Sequence, residues 1–125
     1  MVKAIGLDLC EVSRIRRLLE RYGERFIGRV FTEGEASYCR AHADPAVYFA
    51  ARFAAKEAAL KALGTGRGQG VRWRDVEVLR DPRGVPLIAL SGPARDRALA
   101  LGIDRMLVTL THTASQAAAA VIGEG

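Results

Sequence analysis

A chain of 125 residues, half of them hydrophobic and 26% charged, is long enough for one core and ordinary in composition for a soluble globular protein. No apolar run is long enough to cross a bilayer. The opening segment MVKAIGLDLCEVSRI carries Asp8 and Glu11 where a secretion signal would be uncharged, so the expected location is the cytoplasm, with no membrane partner. The net charge of +5 asks for an acidic partner, and the two cysteines, Cys10 and Cys39, fit no metal spacing and are expected as buried thiols without a disulfide.

Residues 2–9, VKAIGLDL, predict a strand that is apolar throughout except near its ends. EVSRIRRLLERYG then has helical spacing. Val12, Ile15, Leu18, Leu19 and Tyr22 make its apolar side, and Arg14, Arg17, Arg21 and, if the helix continues, Arg25 make a basic stripe on the other. TEGE at 32–35 has the form of a capping box, Thr32 as N-cap and Glu35 at N3, so a short helix is expected next. Asp44-Pro45 opens a long helix and Gly64 closes it. DVEVLRDPRGVPLIAL reads as a hairpin around Asp81–Gly84. Ser91 caps a short helix, and DRMLVTLTH and AAAAVIG read as two closing strands joined by TASQ. The expectation is a single domain over residues 1–125, α+β, with a mostly antiparallel sheet and a long central helix.

Three places carry charge where charge is costly. On a helical wheel Phe49, Phe53, Leu60 and Leu63 form one stripe of the central helix, with Lys56 inside it, Glu57 at its edge and Lys61 one turn beyond Glu57. A buried charge needs a partner or a ligand. A structural ion pair plus an ordinary Glu57–Lys61 helix pair is one reading, and a ligand site is the other. The chain has only Lys3, Lys56 and Lys61 as lysines, so two of three fall in this segment. GTGRGQG, 64–70, follows the helix. Its glycines allow close approach of backbone amides to an anion, or simply a flexible connection. Asp8 stands between Leu7 and Leu9, where a cation would compensate its carboxylate. Mg²⁺, held by one or two carboxylates with water and phosphate completing its shell, suits Asp8 with Glu57. His112 lies where a strand meets a turn, as a structural residue or as part of a site.

Together GLDLCEVSRI (6–15), RFAAKEAALKALGTG (52–66) and THTASQAAAAV (111–121) resemble, in order and over most of the chain, the motifs of the holo-acyl-carrier-protein synthases, the short class of 4′-phosphopantetheinyl transferases. The resemblance implies an enzyme that moves phosphopantetheine from coenzyme A to a serine of apo acyl carrier protein. It implies Asp8 and Glu57 as Mg²⁺ ligands, and Glu57, Lys61 and His112 as catalytic. Lys61, Gly64, Thr65, Gly66, Pro86 and His112 would line the coenzyme A site, and a homotrimer would place active sites between subunits. Arg14, Arg17 and Arg21 suit an acidic carrier protein. A nucleic-acid-binding module is disfavoured because the arginines lack interleaved aromatics beyond Tyr22, Phe26 and Trp73. A binding protein without activity is disfavoured by the intact Asp8, Glu57, Lys61 and His112.

Overall fold

The computed structural model describes residues 1–65 and 70–125. Its elements run β1 (Val2–Glu11), α1 (Val12–Tyr22), α2 (Glu24–Val30), α3 (Glu33–Arg40), α4 (Pro45–Leu63), a single 3₁₀ turn at Trp73–Asp75, β2 (Val76–Arg80), β3 (Pro86–Leu90), α5 (Gly92–Ala100), β4 (Arg105–His112) and β5 (Gln116–Glu124). All pairing is antiparallel, in a three-stranded sheet ordered β1-β5-β4 and a two-stranded β2-β3 hairpin. The expected α+β class is therefore observed, as two sheets instead of one.

Helix α4 is the centre of the fold, and its surroundings correct the reading of one apolar stripe. Fifteen of its residues are buried, on every side. Only Pro45, Tyr48, Glu57 and Lys61 are not. Alanines make this possible, because they let neighbouring backbones come close. At Gly6 the approach is limiting: a Cβ there would run into the carbonyl oxygen of Ala58. The inward row of β1, Gly6, Asp8 and Cys10, thus lies directly on α4, while Ile5, Leu7 and Leu9 on the outer row remain 72%, 67% and 63% exposed. The register continues that outer row across the sheet, Ile5 beside Ile122 beside Leu107 and Leu7 beside Ala120 beside Thr109. The result is an apolar sheet face that the chain itself leaves uncovered.

The turns follow their chemistry. Asp81 Oδ1 accepts from the amides of Arg83 and Val85 at 2.8 and 2.9 Å, and Gly84 takes φ 84°, which closes the β2-β3 hairpin. Thr113 Oγ1 accepts from the amides of Ser115 and Gln116 and turns β4 into β5. Three expectations change at helix ends. Gly23, with φ 51°, stops α1, so Arg25 belongs to α2 and leaves the basic stripe. Asp44 is the N-cap residue of α4 as expected, but its carboxylate pairs chiefly with Arg16, at 2.9 and 3.0 Å. Ser91 likewise precedes α5 without a side-chain cap. Both cysteines are buried and free, and burial pushes the Cys39 thiol up to about 12.

Lys56 has its carboxylate. Its ammonium lies 2.8 Å from Glu35 Oε1, both side chains fully buried, and it also donates to the carbonyl of Trp73 at 3.2 Å and to that of Val76. Glu35 forms the expected capping box with Thr32, and its second oxygen accepts from the amide of Val78 at 2.8 Å. One buried pair thus joins α3, α4 and the entry to β2. Burial pushes the Lys56 ammonium down and Glu35 opposes that shift. Lys56→Met strands the carboxylate, and we expect it to cost about 3–5 kcal/mol of unfolding free energy. Glu35→Gln with Lys56→Met should cost clearly less than the two single changes added together. Urea denaturation measures both, and strictly additive losses would show that the pair does not act as one unit.

Candidate active site

The two α4 residues that escape burial in its second half are the two that the sequence marks. Glu57 is half-buried and Lys61 exposed, one turn apart, on the edge of α4 that overhangs β1. Because Gly6 lets that strand touch the helix, Asp8, two residues on and facing the same way, comes up beside them. Lys61 Nζ donates to Asp8 Oδ1 at 2.8 Å and to the Leu7 carbonyl at 3.1 Å. The lysine therefore turns to Asp8 across the strand, where spacing alone suggests an ordinary pair along the helix. Asp8 holds the Lys61 ammonium above its usual value, first through the hydrogen bond and then through its charge, and the carboxylate of Glu57 adds to this. Cys10, the next inward residue, feels the same two carboxylates. Burial chiefly pushes its thiol up to about 11, Arg14 opposes, and Asp8, Glu57 and Glu11 add to the rise.

Asp8 and Glu57 offer hard oxygen donors, with the Asp8 side chain 15% exposed beside them. Among the described residues no three His, Cys, Asp or Glu side chains gather into a complete metal cage. A two-carboxylate half-shell fits Mg²⁺, which keeps waters and takes phosphate oxygens for the rest, and fits poorly a metal that needs an all-protein site. Gly64 ends α4 in the left-handed conformation (φ 70°), as expected, and its amide returns to the Lys61 carbonyl at 3.1 Å. Thr65 follows, buried. Gly66 and residues 67–69 of the glycine segment lie outside the described residues, so the expected amide cradle is assessed only to Thr65.

His112 is brought elsewhere. It ends β4, exposed, with its ring edge-on to Tyr48 at 5.3 Å. Tyr48 is in the first turn of α4, roughly 20 Å of helix before Lys61, and β5 separates His112 from β1. Within one chain the histidine does not share the Asp8 site. It joins an aromatic group instead: His42 stacks on Tyr48 at 3.6 Å, Tyr38 meets both, and the guanidinium groups of Arg52 and Arg80 lie 4.0 and 5.0 Å over Tyr38. Pro86 pairs with Arg80 at the start of β3 and so borders this second group.

Arg14, Arg17 and Arg21 do share one surface on α1, around a shallow depression with Leu18 and Tyr22. Arg14 lies 5.4 Å over the ring of Phe53, which stacks on Trp73, so the stripe adjoins an aromatic wall. Two clefts of about 670 and 650 Å³ lie around α2, α3 and the Trp73–Asp75 turn, and among the described residues their linings contain none of the expected site residues.

Residues 4–121 match the family model of the 4′-phosphopantetheinyl transferase superfamily. The chain belongs to this superfamily. A holo-[acyl-carrier-protein] synthase of Anaeromyxobacter sp. (strain K) is 52% identical over 128 residues, which is 100% of this chain and 98% of that protein. Among solved structures, the holo-[acyl-carrier-protein] synthase of Neisseria meningitidis superposes with a TM-score of 0.88 at 34% identity, covering 100% of both chains. That of Helicobacter pylori, in complex with coenzyme A, gives 0.85 at 29% identity over 96% of this chain and 99% of the other. The family resemblance and the α+β expectation are thus both established.

This transferase chain also holds candidate site residues that the sequence pattern does not single out. Arg52, the first residue of the 52–66 motif, is 2% exposed, and among the described residues its Nε has no hydrogen-bond partner. It is one turn before Lys56, so an arginine and a lysine share one face of an alanine-rich helix, and that was the available signal. Tyr38, His42 and Tyr48 gave none, because they come together only when α3 packs on α4.

Proposed function

We propose that this chain transfers the 4′-phosphopantetheine group from coenzyme A to a serine hydroxyl of apo acyl carrier protein and releases adenosine 3′,5′-bisphosphate, in a Mg²⁺-dependent reaction. The observation that carries this reading is the juxtaposition of Asp8, Glu57 and Lys61, with Lys61 Nζ 2.8 Å from Asp8, in a chain that matches holo-acyl-carrier-protein synthases end to end. Asp8 and Glu57 would hold Mg²⁺, which when bound supplies positive charge to the pyrophosphate oxygens. Lys61, a flexible point charge at the rim, offsets charge building on the leaving phosphate. The serine oxygen attacks the phosphorus nearer pantetheine, and the bridging oxygen leaves with the nucleotide. Glu57, directly or through a water, accepts the serine proton. Positioning and electrostatics carry the rate.

The second group suits the nucleotide end of coenzyme A. Stacked rings and two guanidinium groups offer a base and a phosphate what they need, and His112 and Pro86 border it. In one chain this group is roughly 20 Å of helix from Lys61, which favours sites completed by a neighbouring copy. The uncovered sheet face of Ile5, Leu7 and Leu9 gives such copies a surface to bury. A homotrimer with closed symmetry, as the resemblance implies, satisfies both. Arg14, Arg17 and Arg21 would receive the acidic carrier. Among the described residues no helix is long and apolar enough to cross a membrane, and the cytoplasm is the proposed location.

Intact-mass analysis of apo acyl carrier protein incubated with this protein, coenzyme A and Mg²⁺ tests the reaction. A gain of one phosphopantetheine is expected. Asp8→Ala and Glu57→Ala should each lower the rate at least about 100-fold with the fold intact, as should EDTA on the unaltered protein. Full activity of either variant at saturating coenzyme A would remove the two-ligand assignment. For the carrier surface, Arg14→Glu should raise the carrier KM several-fold, and high salt should mimic it, with coenzyme A binding unchanged. An unchanged carrier KM would place the carrier elsewhere. For assembly, light scattering alongside an activity titration should show a trimer whose specific activity falls on dilution. A monomer with full specific activity refutes the shared site.

A further inference from the structure

Lys61 does more than border the carboxylates. Its ammonium sits on one oxygen of a carboxylate proposed to hold the metal, Asp8 Oδ1, and is braced there by the Leu7 carbonyl. We propose that Lys61 is a resident counter-cation that occupies Asp8 in the metal-free protein and must leave it for Mg²⁺ to load, so that metal loading releases the ammonium to the ligand's phosphates. This rests on the reading of Asp8 and Glu57 as Mg²⁺ ligands.

The geometry points to an exchange. Mg²⁺ bonds oxygen at about 2.1 Å and tolerates little distortion of its octahedron. Placed on Asp8 Oδ1 with the ammonium still 2.8 Å away, it would have a like charge within about 4 Å. Asp8 is mostly covered, 15% exposed, because Gly6 draws its strand onto α4, and so its approaches are few. Lys61 is 55% exposed and its stem is free to swing outward from the last turn of α4. Without the metal the same contact keeps Asp8 charge-balanced and oriented. Lys56, five residues earlier, can take no such part, because it is fully buried against Glu35. The exchange makes metal and phosphate ligand partners. Each one removes a competitor of the other, so their binding is positively coupled, and the coupling is reciprocal.

Calorimetric titration with Mg²⁺ alone, with no substrate present, reads the exchange directly. Lys61→Gln and Lys61→Met should each bind Mg²⁺ about tenfold more tightly than the unaltered protein, a typical size for coupling of this kind. Arg14→Gln is the control for general charge. Arg14 lies over Phe53 and raises the local positive potential without occupying Asp8, so its removal should change the affinity less than about twofold. In the unaltered protein coenzyme A should tighten Mg²⁺ binding, and in the Lys61 variants that gain should shrink. Unchanged or weaker Mg²⁺ binding in both Lys61 variants overturns the exchange, as does an equal gain in Arg14→Gln. Asp8→Asn separates the two readings. It should bind Mg²⁺ much more weakly, and if it binds like the unaltered protein the metal is not at Asp8 and both readings fall.

Discussion

The fold depends on a contact between two backbones, Gly6 of β1 against Ala58 of α4. A helix can touch a strand this closely only if both surfaces are small, and here the strand gives a glycine and the helix gives alanines at 54, 55, 58, 59 and 62. Close packing on the sheet then leaves room on the far side for α1, α3 and β2, so α4 is enclosed. Enclosure removes solvent from nearly every position of the helix. The edge that overhangs β1 in its second half is left, and Glu57 and Lys61 occupy it. The same contact carries Asp8, two residues beyond Gly6, up against that edge. The candidate constellation is thus placed by a close backbone contact between strand and helix.

Two lysines five residues apart on α4 show how local geometry decides role. Lys56 faces inward, where desolvation pushes its ammonium down and the Glu35 carboxylate, two backbone carbonyls and the charge of Glu77 oppose that shift. The hydrogen bonds of that pair join α3, α4 and the entry to β2, and both side chains are fully buried away from any ligand. Lys61 faces outward, where Asp8 holds its ammonium up, and much of it remains open to water. A buried network resists change and an exposed ion pair is cheap to break. The first is suited to fixing a structure and the second to chemistry that requires motion.

The sequence disclosed the helices best where end signals were local. Thr32 and Glu35 named a capping box that is present, and Gly64 named the end of α4. Asp44 stands at the N-cap as expected, with Pro45 after it, but its carboxylate is held by Arg16, 28 positions away. No local pattern carries that information. Asp8, Glu57 and Lys61 were legible because charge interrupts apolar periodicity at each, and the structure brings them together. His112 was legible as a motif but not as a position, since its place depends on strand order, which puts β5 between β4 and β1. Lys56 was recognised as needing a carboxylate, yet Glu35 could not be named: its sequence signature, the capping box, already accounted for it. One side chain serving two elements at once is a tertiary fact that periodicity does not encode.

The arrangement of surfaces also bears on the proposed assembly. Beyond the Asp8 edge the sheet ends in β1, and on the opposite side it ends in β4, which carries His112. Between those edges the outer face is apolar and bare, from Leu9 and Leu7 through Ala120 to Leu107. A twofold axis running across the strands would set like edges together, whereas one running along the strands would set β1 of one copy near β4 of the other. A ring of copies packed through this face sets unlike edges together, and the β4 edge of one chain comes beside the β1 edge of the next. A ring is one arrangement that would bring an aromatic group like that around His112 next to a carboxylate and ammonium group like that around Asp8. In such a ring one extended ligand would span two chains, its nucleotide on one and its pyrophosphate on the other. The separation of the two groups along α4, a defect for an isolated chain, is then the feature that ties catalysis to assembly.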